Sequence, residues 1–219
     1  MIINTDKYKH FSFDLWLTLI RSNPAFKSAR NSLFREYFSI EKDLEEVGKT
    51  IRYFDLLCNN ISEKTGIHIN TYQIYYFILS ALDVSIDNVN EQQLNEFYNE
   101  SETLFMKYKP ELIYPNINIL FKRIRAEEKT MSILSNTAFI KGESLKKLLA
   151  YYELNDYFSF QLYSDEIGFS KPNIQLFNLV YEKVKPLQKI NKQDIVHIGD
   201  NKIADCIGAT KSGFNSILI

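Results

Sequence analysis

The sequence has few cysteines and no excess of charge of either sign. Its 219 residues include only two cysteines, Cys58 and Cys206, which are far apart and in no metal-binding spacing. Disulfide-built secreted domains carry many more, so we expect free thiols and a reducing compartment. Lysine and arginine number 26 against 27 aspartate and glutamate residues, and the net charge is -1. Such a balance argues against a nucleic acid or an anionic membrane as partner.

Long apolar segments are also lacking. No uninterrupted apolar stretch approaches the roughly 20 residues that a membrane-spanning helix needs. The first sixteen residues have no charged start followed by an apolar centre and a cleavage site, so a signal peptide is not expected. We therefore expect a cytoplasmic protein without a membrane partner, long enough for one domain with an insert or for two small domains. The sequence gives no indication of an oligomeric state.

Five short apolar runs have the length and the composition of buried strands. They cover residues 10–16, 130–135, 160–164, 194–199 and 215–219. Between the last four, apolar residues recur at helical spacing. Strands that alternate with helices predict right-handed βαβ units, and hence an α/β fold with a doubly wound, parallel five-stranded sheet.

The interval between the first and second runs carries helical patterns and no strand signal. Apolar residues recur three or four positions apart around residues 24–40, 44–61, 71–82 and 94–108. Four helices in succession predict a helical bundle inserted into the sheet domain. We therefore divide the chain into an α/β core of residues 1–21 and 106–219 and a helical insert of residues 22–105.

Polar residues follow four of the predicted strands, where they would face the ligand crevice of an open parallel sheet. In chain order they are Asp14, Thr18, Ser135, Asn136, Lys171, Asp200 and Asp205. If the three carboxylates converge, a pair about 4 Å apart repels by roughly 4 kcal/mol at an effective dielectric constant of 20. Such a cluster must bind a proton or recruit cations, and Lys171 and Mg2+ are suitable ones. A carboxylate beside the metal could attack phosphorus, while Ser135 and backbone N–H groups hold phosphoryl oxygens.

Each of these residues also has an ordinary structural interpretation. A single Asp after a strand is more often a turn former or a helix cap, and Ser135 or Thr18 alone would be a cap. The set favours a functional interpretation because four motifs occur in order, each at or just beyond the end of a predicted strand.

This set of motifs resembles that of the haloacid dehalogenase superfamily. The resemblance rests on Asp-x-x-x-Thr at 14–18, a strand ending in Ser135, Lys-Pro at 171–172 and Gly-Asp-x-x-x-x-Asp at 199–205. It covers roughly residues 10–21 and 110–219, and the insert matches the family's helical cap in position and type. The resemblance implies a Rossmann-like core and hydrolytic chemistry.

The resemblance also implies roles for individual residues. Asp14 would be the nucleophile, and Thr18, Ser135 and Asn136 would contact the transferring phosphoryl group. Lys171 would steady both the nucleophile and the phosphoryl charge. The Mg2+ ligands would be Asp14, Asp200 and the backbone carbonyl of Trp16, with Asp205 acting through water.

Trp16 departs from the pattern of the superfamily's phosphatases, which carry a second Asp there as general acid and base. An indole cannot transfer a proton at neutral pH. Losing such a group costs on the order of 10²–10⁴ in rate for a poor leaving group. The interpretation of Trp16 as simple core or cleft packing stands beside this chemical consequence.

Haloacid dehalogenases of the superfamily also lack the second Asp and need no metal, so a metal-independent 2-haloacid dehalogenase is an alternative. Their tyrosine six residues after the lysine is Phe177 here, and their Ser/Asn-containing final motif is replaced by Asp200 and Lys202. An acidic final motif serves a metal site and does nothing for a halide leaving group. Their halide-binding arginine has no assigned counterpart, since the sequence places none of the insert's arginines (Arg30, Arg35, Arg52) in the cleft.

The favoured hypothesis is a Mg2+-dependent phosphatase that acts on a small phosphorylated metabolite through an aspartyl-phosphate. Trp16 predicts a preference for aryl or acyl phosphates, unless a residue of the insert donates the proton. A third hypothesis is a catalytically weak protein that kept the fold and binds phosphate and metal. His197, inside a predicted strand, is interpreted as a hydrogen-bonded core residue.

Overall fold

The computed structural model describes Met1 and residues 3–219. Within these residues the strands are β1 (His10–Phe13), β2 (Ile20–Arg21), β3 (Glu111–Leu112), β4 (Thr130–Ser135), β5 (Phe160–Tyr163), β6 (Ile195–Gly199) and β7 (Asn215–Leu218). The helices are α1 (Pro24–Tyr37), α2 (Leu44–Thr65), α3 (Thr71–Ala81), α4 (Glu91–Lys107), α5 (Ile117–Ala126), α6 (Gly142–Tyr151), α7 (Ser164–Ile167), α8 (Ile174–Val184) and α9 (Gly208–Lys211). A π-helical segment, Lys202–Ile207, precedes α9.

The central sheet is parallel and five-stranded, in the order β5-β4-β1-β6-β7. β1 lies in the middle, and its Phe13 is in register with Ile133 of β4 and Ile198 of β6. The chain builds outward first on the β4 side and then on the β6 side, so the strand order reverses at β1. The carboxyl ends of strands at such a reversal form the usual ligand crevice of an open α/β sheet. The predicted α/β fold with a doubly wound, parallel five-stranded sheet is confirmed.

Helices cover both faces of the sheet, which explains why its strands are continuous apolar runs. Successive residues of a strand point to opposite faces. Ile133 accordingly packs in a cluster with Phe121 and Leu145, whereas the next residue, Leu134, packs in a cluster with Phe177 on the other face. A strand buried on both sides has no solvent face on which polar residues would alternate.

The first strand is shorter than its apolar run. The prediction extended it to residue 16, but β1 ends at Phe13 and a tight loop follows. Leu17 has a positive φ of 57° there, and its N–H donates to the carbonyl of Ile20 at 2.7 Å. Leu15 and Leu19 are fully buried within this loop. Their apolar character therefore reflects burial and not strand conformation.

The helices α1 to α4 form a separate bundle between β2 and β3. These two short strands pair antiparallel, with Ile20 opposite Leu112, where the chain enters and leaves the bundle. The bundle has its own apolar cluster, which includes Phe34, Tyr75 and Phe97. The domain division at residues 22–105 stays a prediction, and α4 itself continues to Lys107. In the described part of the chain, no helix combines the length and the apolar character needed to cross a membrane.

Candidate active site

The central strands bring the first of the predicted site residues to one edge of the sheet. Asp14 directly follows β1, and its N–H donates to the carbonyl of Ile198 at 2.9 Å, which holds the start of the loop against β6. Ser135 is the last residue of β4, and its Oγ lies 3.4 Å from Oδ1 of Asp14. Asp200 directly follows β6. Three neighbouring strand ends thus supply a carboxylate, a hydroxyl and a second carboxylate.

Asp205 lies in the π-helical segment, which places its side chain at the same edge of the sheet. The side chain of Asn201 caps that segment by accepting from the N–H groups of Ile203 and Ala204. The N–H of Asn201 donates to Oδ2 of Asp205 at 2.9 Å. Gly199 makes room for this approach, because a Cβ at that position would lie 2.1 Å from Oδ2 of Asp205.

Asp14, Asp200 and Asp205 form a carboxylate cluster in which one oxygen from each residue lies within 4.8 Å of the others. Asp14 and Asp205 are buried and Asp200 is half-buried. Burial and the charge of Asp205 raise the pKa of Asp200 above its ordinary value. A carboxylate cluster of this kind fits Mg2+, which prefers oxygen ligands and keeps some of its waters.

Lys171 lies between two of these carboxylates. Its Nζ donates to Oδ1 of Asp14 at 2.7 Å and to Oδ1 of Asp205 at 2.6 Å, and the residue is 2% exposed. Burial disfavours the ammonium, yet the two carboxylates raise the pKa of Lys171 above its ordinary value. A buried cation is tolerated only with such partners. Lys171 is therefore charged and fixed in place.

Asn136 holds the backbone of Lys171 with both ends of its amide. Its Oδ1 accepts from the Lys171 N–H at 2.7 Å, and its Nδ2 donates to the Lys171 carbonyl at 3.0 Å. These two hydrogen bonds join the loop after β4, which contains Asn136, to the loop after α7, which contains Lys171. The contact of Asn136 with a phosphoryl group stays a prediction.

The two buried carboxylates beside Lys171 have opposite pKa shifts. Burial raises the pKa of Asp14, and the Lys171 ammonium only partly opposes this. Burial acts in the same direction on Asp205, but Lys171 and an N–H of His197 outweigh it and lower the pKa of Asp205. Asp205 already accepts hydrogen bonds at both oxygens, from Lys171 and His197 at Oδ1 and from Asn201 at Oδ2. This saturation suits a supporting position better than direct contact with a metal.

Thr18 and Trp16 occupy the loop after Asp14. Thr18 is fully buried, and its hydroxyl has no hydrogen-bond partner among the described residues. A buried hydroxyl without a partner costs about 1–3 kcal/mol. The hydroxyl of Thr18 lies near Asp200 and helps to lower the pKa of that carboxyl, so it can turn either to Asp200 or to a ligand oxygen. Trp16 is half-buried, lines the cleft and also packs against the apolar core of the sheet domain.

The cleft lies between the sheet edge and the helical bundle and has a volume of about 650 Å³. On the sheet side its lining includes Asp14, Trp16, Asn136, Lys171, Asp200 and Asp205. On the bundle side its lining includes Phe26, Lys27, Arg30, Arg52, Asp55 and Glu63. The structure therefore places two of the insert's arginines, Arg30 and Arg52, in the lining of the cleft that contains the carboxylates, whereas Arg35 does not line it.

His197 takes part in the site although the sequence suggested only a core residue. It is buried and hydrogen-bonded, and one of its partners is Asp205, 3.1 Å from Nε2. Its Nδ1 lies 2.9 Å from Oγ of Ser12, its neighbour in register on β1. The sequence could have indicated this role, because an ionisable side chain inside a buried strand needs a polar partner. Arg30 and Arg52 gave no comparable signal, because helical periodicity does not say which surface a helix faces.

Residues 12–219 match the family model of the haloacid dehalogenase-like hydrolases. The chain belongs to this family, as the motif resemblance predicted. It is 22% identical over 203 residues to the glyceraldehyde 3-phosphate phosphatase of Methanothermobacter thermautotrophicus, which covers 84% of each chain.

Solved structures of related hydrolases share the fold. The magnesium-bound HAD hydrolase YfnB of Bacillus subtilis superposes with a TM-score of 0.71 at 17% identity, over 98% of this chain and 89% of YfnB. The L-2-haloacid dehalogenase of Xanthobacter autotrophicus superposes with a TM-score of 0.61 at 16% identity, over 97% of this chain and 77% of that enzyme. The shared fold thus spans enzymes of different chemistry, and the reaction must be argued from the site.

Proposed function

We propose that this hydrolase is a Mg2+-dependent phosphatase acting on a small phosphorylated metabolite through an aspartyl-phosphate. The observation that carries the proposal is the cluster of Asp14, Asp200 and Asp205. Lys171 brings one buried positive charge to this cluster by donating to Asp14 and Asp205. One ammonium leaves the three carboxylates with a net negative charge. A divalent cation and the phosphoryl transfer chemistry that accompanies it fit this imbalance.

In the proposed mechanism Asp14 is the nucleophile. Oδ2 of Asp14 accepts no hydrogen bond among the described residues, while Oδ1 is held by Lys171, so one carboxylate oxygen is free to attack phosphorus. Asp14 forms the bond to phosphorus as the P–O bond to the leaving group breaks. Ser135, Thr18 and Lys171 hold phosphoryl oxygens, and water then releases phosphate from the aspartyl-phosphate. Asp14 and Asp200 would hold Mg2+, which would supply positive charge against the phosphoryl oxygens.

The leaving group receives no proton from Trp16, which lines the cleft where a second Asp would stand. We therefore propose aryl or acyl phosphates as the better substrates. Two carboxyl groups of the bundle also line the cleft and are the candidates for a substitute acid. Asp55 is held by Arg52 at 2.8 Å, whereas Glu63 forms no ion pair among the described residues.

Residues 22–105 are proposed to act as a cap over this site. Phe26 and other bundle residues form one wall of the cleft, opposite Asp14. The cap reaches the site loops directly, because Thr71 Oγ1 donates to the carbonyl of Ala138 at 2.6 Å, three residues after Ser135. Substrate choice then depends on the bundle side chains that face the carboxylates.

The test is a panel of phosphate esters assayed with and without Mg2+, with Asp14→Asn as the control. We expect phosphate release that requires Mg2+ and is lost in Asp14→Asn. Release that persists in Asp14→Asn would contradict the proposal. Tight Mg2+-dependent binding of beryllium fluoride without turnover on the whole panel would favour the weak, metal- and phosphate-binding alternative.

A metal-independent 2-haloacid dehalogenase is the second candidate, and one observation favours it. Arg30 and Arg52 line the same cleft as Asp14, so an arginine is available there for a halide or a carboxylate. Phe177 and Asp200 still argue for the phosphatase. Halide release from 2-chloropropionate in the presence of a chelator separates the two, since the phosphatase proposal predicts none.

A further inference from the structure

Arg30 is a half-buried cation on the bundle side of the cleft, and it forms no salt bridge among the described residues. It belongs to α1 and lines the cleft that contains Asp14 and Lys171. Among those described residues its one hydrogen bond runs from an Nη to Oδ1 of Asn31 at 3.1 Å. Its Nε is buried and has no hydrogen-bond partner in the same residues. Leaving a buried donor unsatisfied costs about 1–3 kcal/mol, so this side chain favours a ligand that accepts hydrogen bonds.

Aromatic rings fix the guanidinium without using its donors. The Cζ of Arg30 lies 4.7 Å from the ring centre of Phe139 and 5.8 Å from that of Phe26. Phe139 is in the loop after β4, four residues beyond Ser135, so Arg30 is anchored to the loop that carries part of the site. Cation–π contacts orient the planar group and leave its N–H groups available for a planar oxyanion.

The other cations that line the cleft are already engaged or lie at its rim. Arg52 donates to Oδ2 of Asp55 at 2.8 Å, and Lys171 bridges the two buried carboxylates. Lys27 is exposed. Two carboxylates of the bundle, Asp55 and Glu63, also line the cleft, and Arg52 pairs with Asp55. Arg30 is therefore the half-buried cation of the bundle that is left for an anionic ligand.

On the basis of the proposed phosphatase function, we propose that Arg30 binds a carboxylate of the substrate, so that the preferred substrates are phosphate esters of hydroxy acids. The phosphoryl group lies at Asp14 and the carboxylate lies at Arg30, on opposite walls of the cleft. Arginine suits this task because its fork of N–H donors matches the two oxygens of a carboxylate.

The experiment compares esters that differ only in this charge. Substrates are 3- and 4-carboxyphenyl phosphate and the corresponding carbamoylphenyl phosphates, assayed with Arg30→Met, Arg30→Lys and the wild-type protein. Of 3- and 4-carboxyphenyl phosphate, one will have the higher kcat/KM with the wild-type protein. For that ester we expect Arg30→Met to lower kcat/KM roughly 10- to 100-fold, as for a lost hydrogen bond to a charged group. The carbamoyl esters should change little, and Arg30→Lys should fall between. The ratio of variant to wild type cancels the difference in leaving group.

Arg35→Met is the matched control. Arg35 is also half-buried on α1, but its Nε donates to the carbonyl of Lys42 at 2.7 Å, away from the cleft. We expect its substitution to affect carboxyl and carbamoyl esters equally. If Arg30→Met does not fold, which circular dichroism melting detects, Arg30→Lys provides the same comparison.

A binding measurement separates this inference from the proposed function. Calorimetry of the same esters with Asp14→Asn in Mg2+, alone and combined with Arg30→Met, needs no turnover. A carboxyl preference that Arg30→Met removes would support Arg30 even if no ester were hydrolysed, in which case the phosphatase proposal alone would fail. Equal losses on carboxyl and carbamoyl esters, in kcat/KM and in affinity, would overturn the inference, because Arg30 would then contribute only packing on Phe139.

Discussion

The charge state of single residues determines what the site can do. Lys171 and the N–H of His197 stabilise the ionised form of Asp205, which is therefore a fixed anion at neutral pH. Asp14 has a pKa raised by burial and depends on cations such as Lys171 for its ionised form, which the proposed mechanism requires of the nucleophile. Two carboxylates on one ammonium thus differ in role because their hydrogen-bond partners differ.

The lowered pKa of Asp205 predicts an acid-sensitive contribution to stability. A group whose folded pKa lies below its unfolded pKa stabilises the folded state above the unfolded value, and that contribution disappears as pH falls through the folded value. We expect Asp205→Asn to reduce the free energy of unfolding by about 3–5 kcal/mol near pH 7, as for a broken buried pair. Urea unfolding with a chelator should show this difference shrinking below pH 3.8, the ordinary pKa of Asp. A difference independent of pH would contradict the shift.

Trp16 predicts the leaving-group preference. Aryl phosphates should turn over faster than alkyl phosphates, because alkoxide departure needs a proton that an indole cannot supply. Trp16→Asp should raise alkyl-phosphate turnover, up to the order of 10²-fold where the cleft accepts the smaller side chain. Equal rates on aryl and alkyl esters in the wild-type protein would contradict this. In that case Glu63→Gln is the next variant to assay. If it slows only the alkyl esters, Glu63 of the bundle supplies the proton to the leaving group.

At the scale of elements, β1 and β6 connect the sheet interior to the carboxylates. Ser12 and His197 are paired in register, and His197 bonds Asp205 in turn. Because a carboxylate only accepts, Nε2 of His197 carries a proton. Burial lowers the pKa of His197, so the ring is neutral at pH 7 and its Nδ1 accepts from Ser12. Residues that orient a metal-supporting group in this way commonly change metal affinity when they are replaced.

His197→Asn should weaken the affinity for Mg2+ about 10- to 100-fold. His10→Asn is the control, because His10 is equally buried in β1 but bonds Thr130 and Ser132 and not the site. Both substitutions should lower thermal stability, and only the first should shift the Mg2+ titration. Equal shifts in both variants would mean that His197 acts only through the core.

The sequence allowed the elements of the sheet to be predicted better than the loops between them. β4 was predicted at its observed bounds because it is buried on both faces, and such strands are uninterrupted apolar runs. β1 was predicted too long, since Leu15 and Leu19 are apolar through burial in a loop. The pairing of β2 with β3 was missed, because two residues are too short to show a period of two.

At the scale of the whole molecule, topology explains which site residues could be predicted. Asp14 and Asp200 are distant in sequence, yet parallel strands that meet at a reversal of strand order place their ends together. The position of Arg30 relative to Asp14 depends on how the bundle docks on the sheet domain. That docking involves contacts such as Thr71 with Ala138 and the backbone of His68 with Gly168, which carry no sequence pattern.

The central claim is that Asp14 and Asp200 share one Mg2+ ion beside Lys171. A crystal structure of the wild-type protein with Mg2+ and beryllium fluoride measures this most directly. We expect a single Mg2+ ligated by Asp14 and Asp200, with the fluoride complex on Asp14 and within hydrogen-bond distance of Lys171. A Mg2+ ion ligated by only one of the two carboxylates, or bound elsewhere while the cleft holds the fluoride complex, would contradict it.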